Sequence, residues 1–130
     1  MRGLIERYVR EMVKIPSTSN TEMEKNCADY IAEELAKQPY FKVHPEQTGK
    51  YLLPEDSLGR SVPWGLVKGN GGSRKTIILT GHYDVVDTEE YGNERALAYD
   101  VEKWENLVKS GNVLPGMPDE VKEDFLSGDW

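Results

Sequence analysis

At the start of the chain Leu4, Ile5, Tyr8, Val9, Met12 and Val13 recur at steps of three and four, with Glu6, Arg7, Arg10 and Glu11 on the other side. That spacing predicts an amphipathic helix with one broad apolar face. Pro16 lacks an amide hydrogen and restricts the residue before it, so the helix is expected to stop near Lys14. A second helix is expected to open after Asn20 or Thr21, where Thr21 and Glu24 have the spacing of a capping box. Its apolar face would be Met23, Cys27, Tyr30, Ile31 and Leu35, and Pro39 closes it. Phe41, Val43 and Pro45 then alternate with Lys42, His44 and Glu46, the two-residue period of a short half-exposed strand.

From Gln47 to Arg60 the composition is that of a loop, with Tyr51, Leu52 and Leu53 as an apolar anchor. Val62 to Lys68 reads as another strand, and Gly69 to Ser73 as a tight turn that would make it the antiparallel neighbour of the next run. That run, Thr76-Ile77-Ile78-Leu79-Thr80, is unbroken and rich in strand formers, which suits a central strand covered on both faces; Gly81 ends it. Beyond it, Val101 to Ser110 predicts a short helix around Trp104, Leu107 and Val108, stopped by Gly111. Pro118-Asp119-Glu120 opens a last helix with acidic charge at the positive end of its dipole and Val121 and Phe125 inward. The expected class is α/β: two helices, then about three strands, then loop and short helices.

A chain of 130 residues supports one domain, residues 1–130, with a single core. Sixteen basic residues against 23 acidic give a net charge of -7 with no dense basic cluster, which argues against nucleic acid as a partner. No apolar run approaches the roughly 20 residues of a membrane span, so no membrane partner is expected. Glu6, Arg7, Arg10 and Glu11 interrupt the place where a signal peptide has its apolar core. The single cysteine allows no disulfide framework, and a cytoplasmic location is expected. Cys27 falls on a helical apolar stripe and reads as a small core residue rather than a catalytic thiol, since nothing nearby would lower its pKa.

Candidate chemistry follows the central run. If the backbone stays extended past Gly81, alternation puts His82 and Asp84 on one side and Tyr83 on the other. Ligands of open α/β sheets bind outside the carboxyl ends of the strands. An imidazole there can ligate a metal, and a carboxylate beside it can fix its tautomer. The competing reading is a capped strand end with a partly exposed histidine. His44 lies on the polar side of its own segment and reads as solvated. Gly69 to Thr76 nearly matches a phosphate loop, but Arg74 stands where the second glycine belongs, and a strand rather than a helix follows. Asp84, Asp87, Glu89, Glu90, Glu94, Asp100, Glu102 and Glu105 form an acidic stretch, read first as a solvated face.

The run Ile78-Leu79-Thr80-Gly81-His82-Tyr83-Asp84-Val85-Val86 resembles the first active-site motif of the dizinc metallopeptidases that include aminoacylases, succinyl-diaminopimelate desuccinylases and glutamate carboxypeptidases. Val13 to Thr21 is similar to that family's N-terminal helix, loop and second helix start, and Trp64 to Gly69 to the strand before the metal strand. Asp87 to Tyr91 and Ala96-Leu97-Ala98-Tyr99-Asp100 are most similar to its arginine-utilisation (arginine-degradation) branch. The resemblance implies the N-terminal part of a three-layer α/β/α catalytic domain with a mixed sheet. It implies two zinc ions that activate a water for attack on an amide carbonyl, with a small peptide or N-acyl amino acid as substrate. Carried over by position, His82 would ligate one zinc and Asp84 would be the catalytic carboxylate beside it.

The family's bridging Asp, its adjacent Glu pair, a further carboxylate ligand and a distant His have no matching positions, and Glu89-Glu90 is not that pair. Leu126 to Trp130 resembles the segment just before the bridging-Asp motif. The expectation is therefore an N-terminal fragment of a larger enzyme, itself inactive and weak or silent toward zinc. A homodimer or higher oligomer is expected through an exposed sheet edge. The alternative is a stand-alone, non-catalytic module that kept the fold and lost the metal site.

Overall fold

The computed structural model describes residues 2–110 and 118–127, without the side chains of Val108, Phe125 and Leu126. Helices and a small antiparallel sheet are both present, so the α/β class holds. The chain divides into two compact units, Ile15–Asp87 and a second made of Met1–Lys14 with Thr88–Trp130.

In the unit Ile15–Asp87, helix α2 (Glu24–Ala36) lies on a hairpin of β1 (Thr48–Leu52) and β2 (Ser61–Gly65). The strands run antiparallel from Thr48 opposite Gly65 to Leu52 opposite Ser61. The loop between them is closed by Asp56, whose carboxylate accepts from the Arg60 amide at 2.7 Å and from its guanidinium at 2.7 and 3.0 Å. These bonds hold the Asp56 carboxyl below its usual range. On α2 the buried positions are Glu24, Cys27 and Ala28, one face at helical spacing. Met23 is exposed instead, and Tyr30, Ile31 and Leu35 are half-buried.

The helix entry differs from the expected capping box by one residue. Glu24 reaches back to the amide of Asn20 at 2.6 Å rather than to Thr21, and the Thr21 hydroxyl donates to the Thr18 carbonyl at 2.6 Å. Asn20 takes a φ of 61°, a left-handed conformation that asparagine tolerates better than most residues.

Three expectations are corrected in this unit. Residues 41–46 are helix α3 (Pro39–Val43) followed by a 3-10 turn, Pro45–Gln47, not a strand. Pro39 occupies the first turn, where its fixed φ suits a helix. The alternation is misleading because Phe41 is buried while Val43 is 73% exposed. The Phe41 ring sits so close to Gly65 that a Cβ there would lie 2.7 Å from its Cζ, so any larger residue would force the ring to shift. Second, Thr48–Leu52 is a strand where a loop was expected, and it rather than the later apolar run is the partner of β2. Third, residues 73–84 are in neither helix nor strand, and Ile77, Ile78 and Leu79 are 86%, 82% and 92% exposed. A strand of this composition forms when neighbours take up its amides and cover its faces. Among the described residues none does so, and the expected central strand and the turn Gly69–Ser73 feeding it are absent.

In the second unit, α1 (Arg2–Val13) ends where Pro16 required, and α4 (Val101–Lys109) and α5 (Asp119–Ser127) form as their patterns predict. Two 3-10 turns broken at Gly92 (φ 53°) span Glu89–Tyr99 and bring Tyr91 edge-on to Trp104 with centroids 6.2 Å apart. Ion pairs Arg10–Glu105 and Lys14–Glu102 join α1 to α4. The apolar face of α1 stays open, with Ile5 58% and Val9 57% exposed. Gly111 and residues 128–130 lie outside the described residues, and the inward placement of Phe125 and the Leu126 side chain outside the described side chains.

Candidate metal-ligand dyad

Residues 82–85 are held by a short segment just after Pro16. Val85 donates its amide to the Ser17 carbonyl at 3.0 Å and accepts from the Ser19 amide at 2.9 Å, a parallel bridge centred on Thr18 and Val85. The Ser17 hydroxyl donates to the Tyr83 carbonyl at 2.8 Å. The Tyr83 hydroxyl donates to the carbonyl of Ser61, the first residue of β2, at 2.8 Å. Burial pushes the Tyr83 phenol up from its ordinary value. Thus a segment without sheet partners on its N-terminal side is pinned at 83–85 to a two-residue-period clip and to the sheet.

This pinning leaves His82 and Asp84 on one side of the backbone and Tyr83 on the other. His82 Nδ1 lies 3.1 Å from Asp84 Oδ1 and 3.0 Å from the Asp84 carbonyl oxygen. Both neighbours are acceptors, so Nδ1 carries the proton and the lone pair of a neutral ring sits on Nε2. The His82 side chain is 87% exposed and that of Asp84 37%. Asp84 Oδ2 accepts from the Ser19 hydroxyl at 2.7 Å. The Ser19 hydroxyl first, and the His82 ring after it, hold the Asp84 carboxyl below its ordinary range. The dyad therefore consists of an ionised carboxylate, anchored on one oxygen, that orients an imidazole with its free nitrogen toward solvent.

Other candidates separate from this pair. His44 packs against Tyr40 with the rings tilted by 43° and centroids 4.7 Å apart, and its Nδ1 lies 3.9 Å from Glu46 Oε1. Cys27 is buried, and burial raises its thiol pKa while the Ser17 hydroxyl works in the opposite direction. Within the acidic stretch, Glu102 and Glu105 pair with Lys14 and Arg10, Asp100 with Lys103 and Glu89 with Arg95. Those carboxylates belong to local ion pairs. Ser17, Ser19 and Tyr83 were not singled out by sequence reasoning. The one signal for the serines was a pair of small hydroxyls at alternate positions after a proline, whose acceptors lie far along the chain.

Among the described residues no group of three or more His, Cys, Asp or Glu side chains is placed to hold a metal ion. Zinc needs three or four protein donors. His82 with its oriented ring fits one coordination position; the described residues do not by themselves fit a zinc ion.

No family model and no solved structure matches the chain. Over 97% of its length it is 29% identical to Protein RocB of Bacillus subtilis (strain 168), matched over 22% of that protein. It is 34% identical, over 92% of its length, to Uncharacterized protein YqjN of the same organism, matched over 21%. The chain spans about a fifth of the length of the curated relatives it matches.

Proposed function

We propose that this chain carries the first corner of a zinc-dependent amide-hydrolysing site of the aminoacylase and desuccinylase type, in the arginine-utilisation branch. The carrying observation is the His82–Asp84 pair, with Nδ1 on the carboxylate at 3.1 Å and Nε2 left open. A metal-binding imidazole needs that division of roles, one nitrogen tied to an acceptor and the other free. The similarity to RocB over nearly the whole chain, against a fifth of the relative, supports a piece of a larger protein in which other segments supply the remaining ligands. In this reading His82 is the metal ligand, Asp84 holds its tautomer and adds negative charge beside it, and the substrate is a small peptide or N-acyl amino acid. Hydrolysis is a property of the assembled protein and not of this chain alone.

The test is a chimera in which residues 1–130 replace the matched segment of the RocB relative. The purified chimera is expected to contain zinc and to hydrolyse a panel of N-acyl amino acids, and His82→Ala to lower both at least tenfold. A well-folded chimera whose zinc content does not depend on His82 contradicts the proposal. That outcome favours a second reading, a non-catalytic module, which draws on the lack of a three-donor cluster among the described residues.

A further inference from the structure

We infer that Ser19 is a positioning residue for the dyad, holding Asp84 in the one rotamer that orients His82. The inference rests on the functional reading above but concerns only bonds within this chain. Asp84 has one carboxylate oxygen on the imidazole, at 3.1 Å, and the other on the Ser19 hydroxyl, at 2.7 Å. With both oxygens engaged the carboxylate cannot turn about its side-chain torsions without breaking one bond. The Ser19 hydroxyl has a single proton and two acceptors within reach, Asp84 Oδ2 at 2.7 Å and the Val85 carbonyl at 3.0 Å. The nearer, charged acceptor takes it, because charge-assisted bonds are shorter and stronger than neutral ones.

The Ser19 backbone is itself fixed. Its amide donates to the Val85 carbonyl at 2.9 Å, and Ser17 two residues earlier accepts from the Val85 amide at 3.0 Å. The hydroxyl is thus presented from a bridged segment rather than from a free loop. His82, by contrast, is 87% exposed, and its contacts are the side-chain and backbone oxygens of Asp84. An exposed ring has no packing to choose its tautomer, so the two Asp84 oxygens choose it; the backbone oxygen is neutral, and the charged carboxylate, the stronger acceptor, is the one that Ser19 fixes. The pair Ser17 and Ser19 therefore divides the work: Ser17 binds the backbone at Tyr83, and Ser19 binds the side chain that acts on the imidazole.

The tautomer of His82 is read directly by long-range nitrogen–proton NMR of the imidazole at fixed pH 8, without metal. The wild-type chain is expected to show Nδ1–H. Ser19→Ala is expected to shift the signals by at least half toward Nε2–H, the form that a free histidine side chain prefers. Ser19→Thr, which keeps the hydroxyl, should restore the wild-type pattern. Ser17→Ala controls for loosening of the segment, since it removes the bond to Tyr83 but none to Asp84, and should leave the tautomer unchanged. The inference is overturned if Ser19→Ala leaves the His82 pattern as in wild type while the Val85 amide signal stays in place. It is also overturned if Ser17→Ala moves the pattern as far as Ser19→Ala does. Because no zinc is added, either result leaves the zinc chimera to be judged separately.

Discussion

Cys27 is 1% exposed, and burial holds its thiol pKa above the ordinary value, whereas the unfolded chain ionises it in the ordinary range near pH 8.5. A group with a raised folded pKa contributes its full stability below the unfolded pKa and loses it as pH rises through the folded one. Stability is therefore expected to fall from about pH 8 upward, and Cys27→Ala to flatten that fall when urea midpoints are compared between pH 7 and pH 10. An unchanged slope would show that the thiol has the same pKa folded and unfolded, against the burial effect. At this scale His82 and Asp84 were legible as a pair, because two-residue alternation alone puts them on one side of an extended backbone. Ser19 was not legible: its acceptor, Asp84, lies 65 positions away, and no local pattern reports that distance.

The elements read from helical periodicity, α1, α2, α4 and α5, all form, since a helix makes most of its hydrogen bonds within itself and needs only one covered face. The strands were less legible because a strand's hydrogen bonds depend on what lies beside it. Thus Val62 to Lys68 shortens to Ser61–Gly65 and pairs with a stretch whose composition is that of a loop. The helix α3 was hidden by an alternation that only Phe41 uses. Gly65→Ala is expected to lower stability by about 1–3 kcal/mol, the cost of forcing a methyl into a filled space, because the buried Phe41 ring stands 2.7 Å from the new Cβ. Urea denaturation measures it, and a change below about 0.5 kcal/mol would mean the ring moves freely. In the same unit, the amides of Thr76 to Gly81 have no backbone acceptor among the described residues. They are expected to exchange with deuterium within seconds, while those of β1 that face β2 are protected. Slow exchange across 76–81 would mean that the run is a paired strand in solution.

For the whole molecule, the buried apolar residues among those described are Cys27, Ala28 and Phe41, whereas Ile77, Ile78 and Leu79 are all more than 80% exposed. An extended apolar run with free backbone groups pairs readily with another chain. Light scattering at high concentration is expected to give a mass above the 14.8 kDa of one chain, and Ile78→Lys to return it to that mass. A strictly monomeric wild type would contradict self-association. The same shortage of partners applies to the site, where among the described residues one oriented imidazole stands without the further donors a zinc ion needs. The most direct test of that account is a zinc titration of the chain followed by NMR at its two imidazoles, His44 and His82. Weak, progressive shifts confined to His82, with no saturation below about 10 μM, are expected of a single donated ligand. Stoichiometric sub-micromolar binding, or a response at His44 and none at His82, would contradict it.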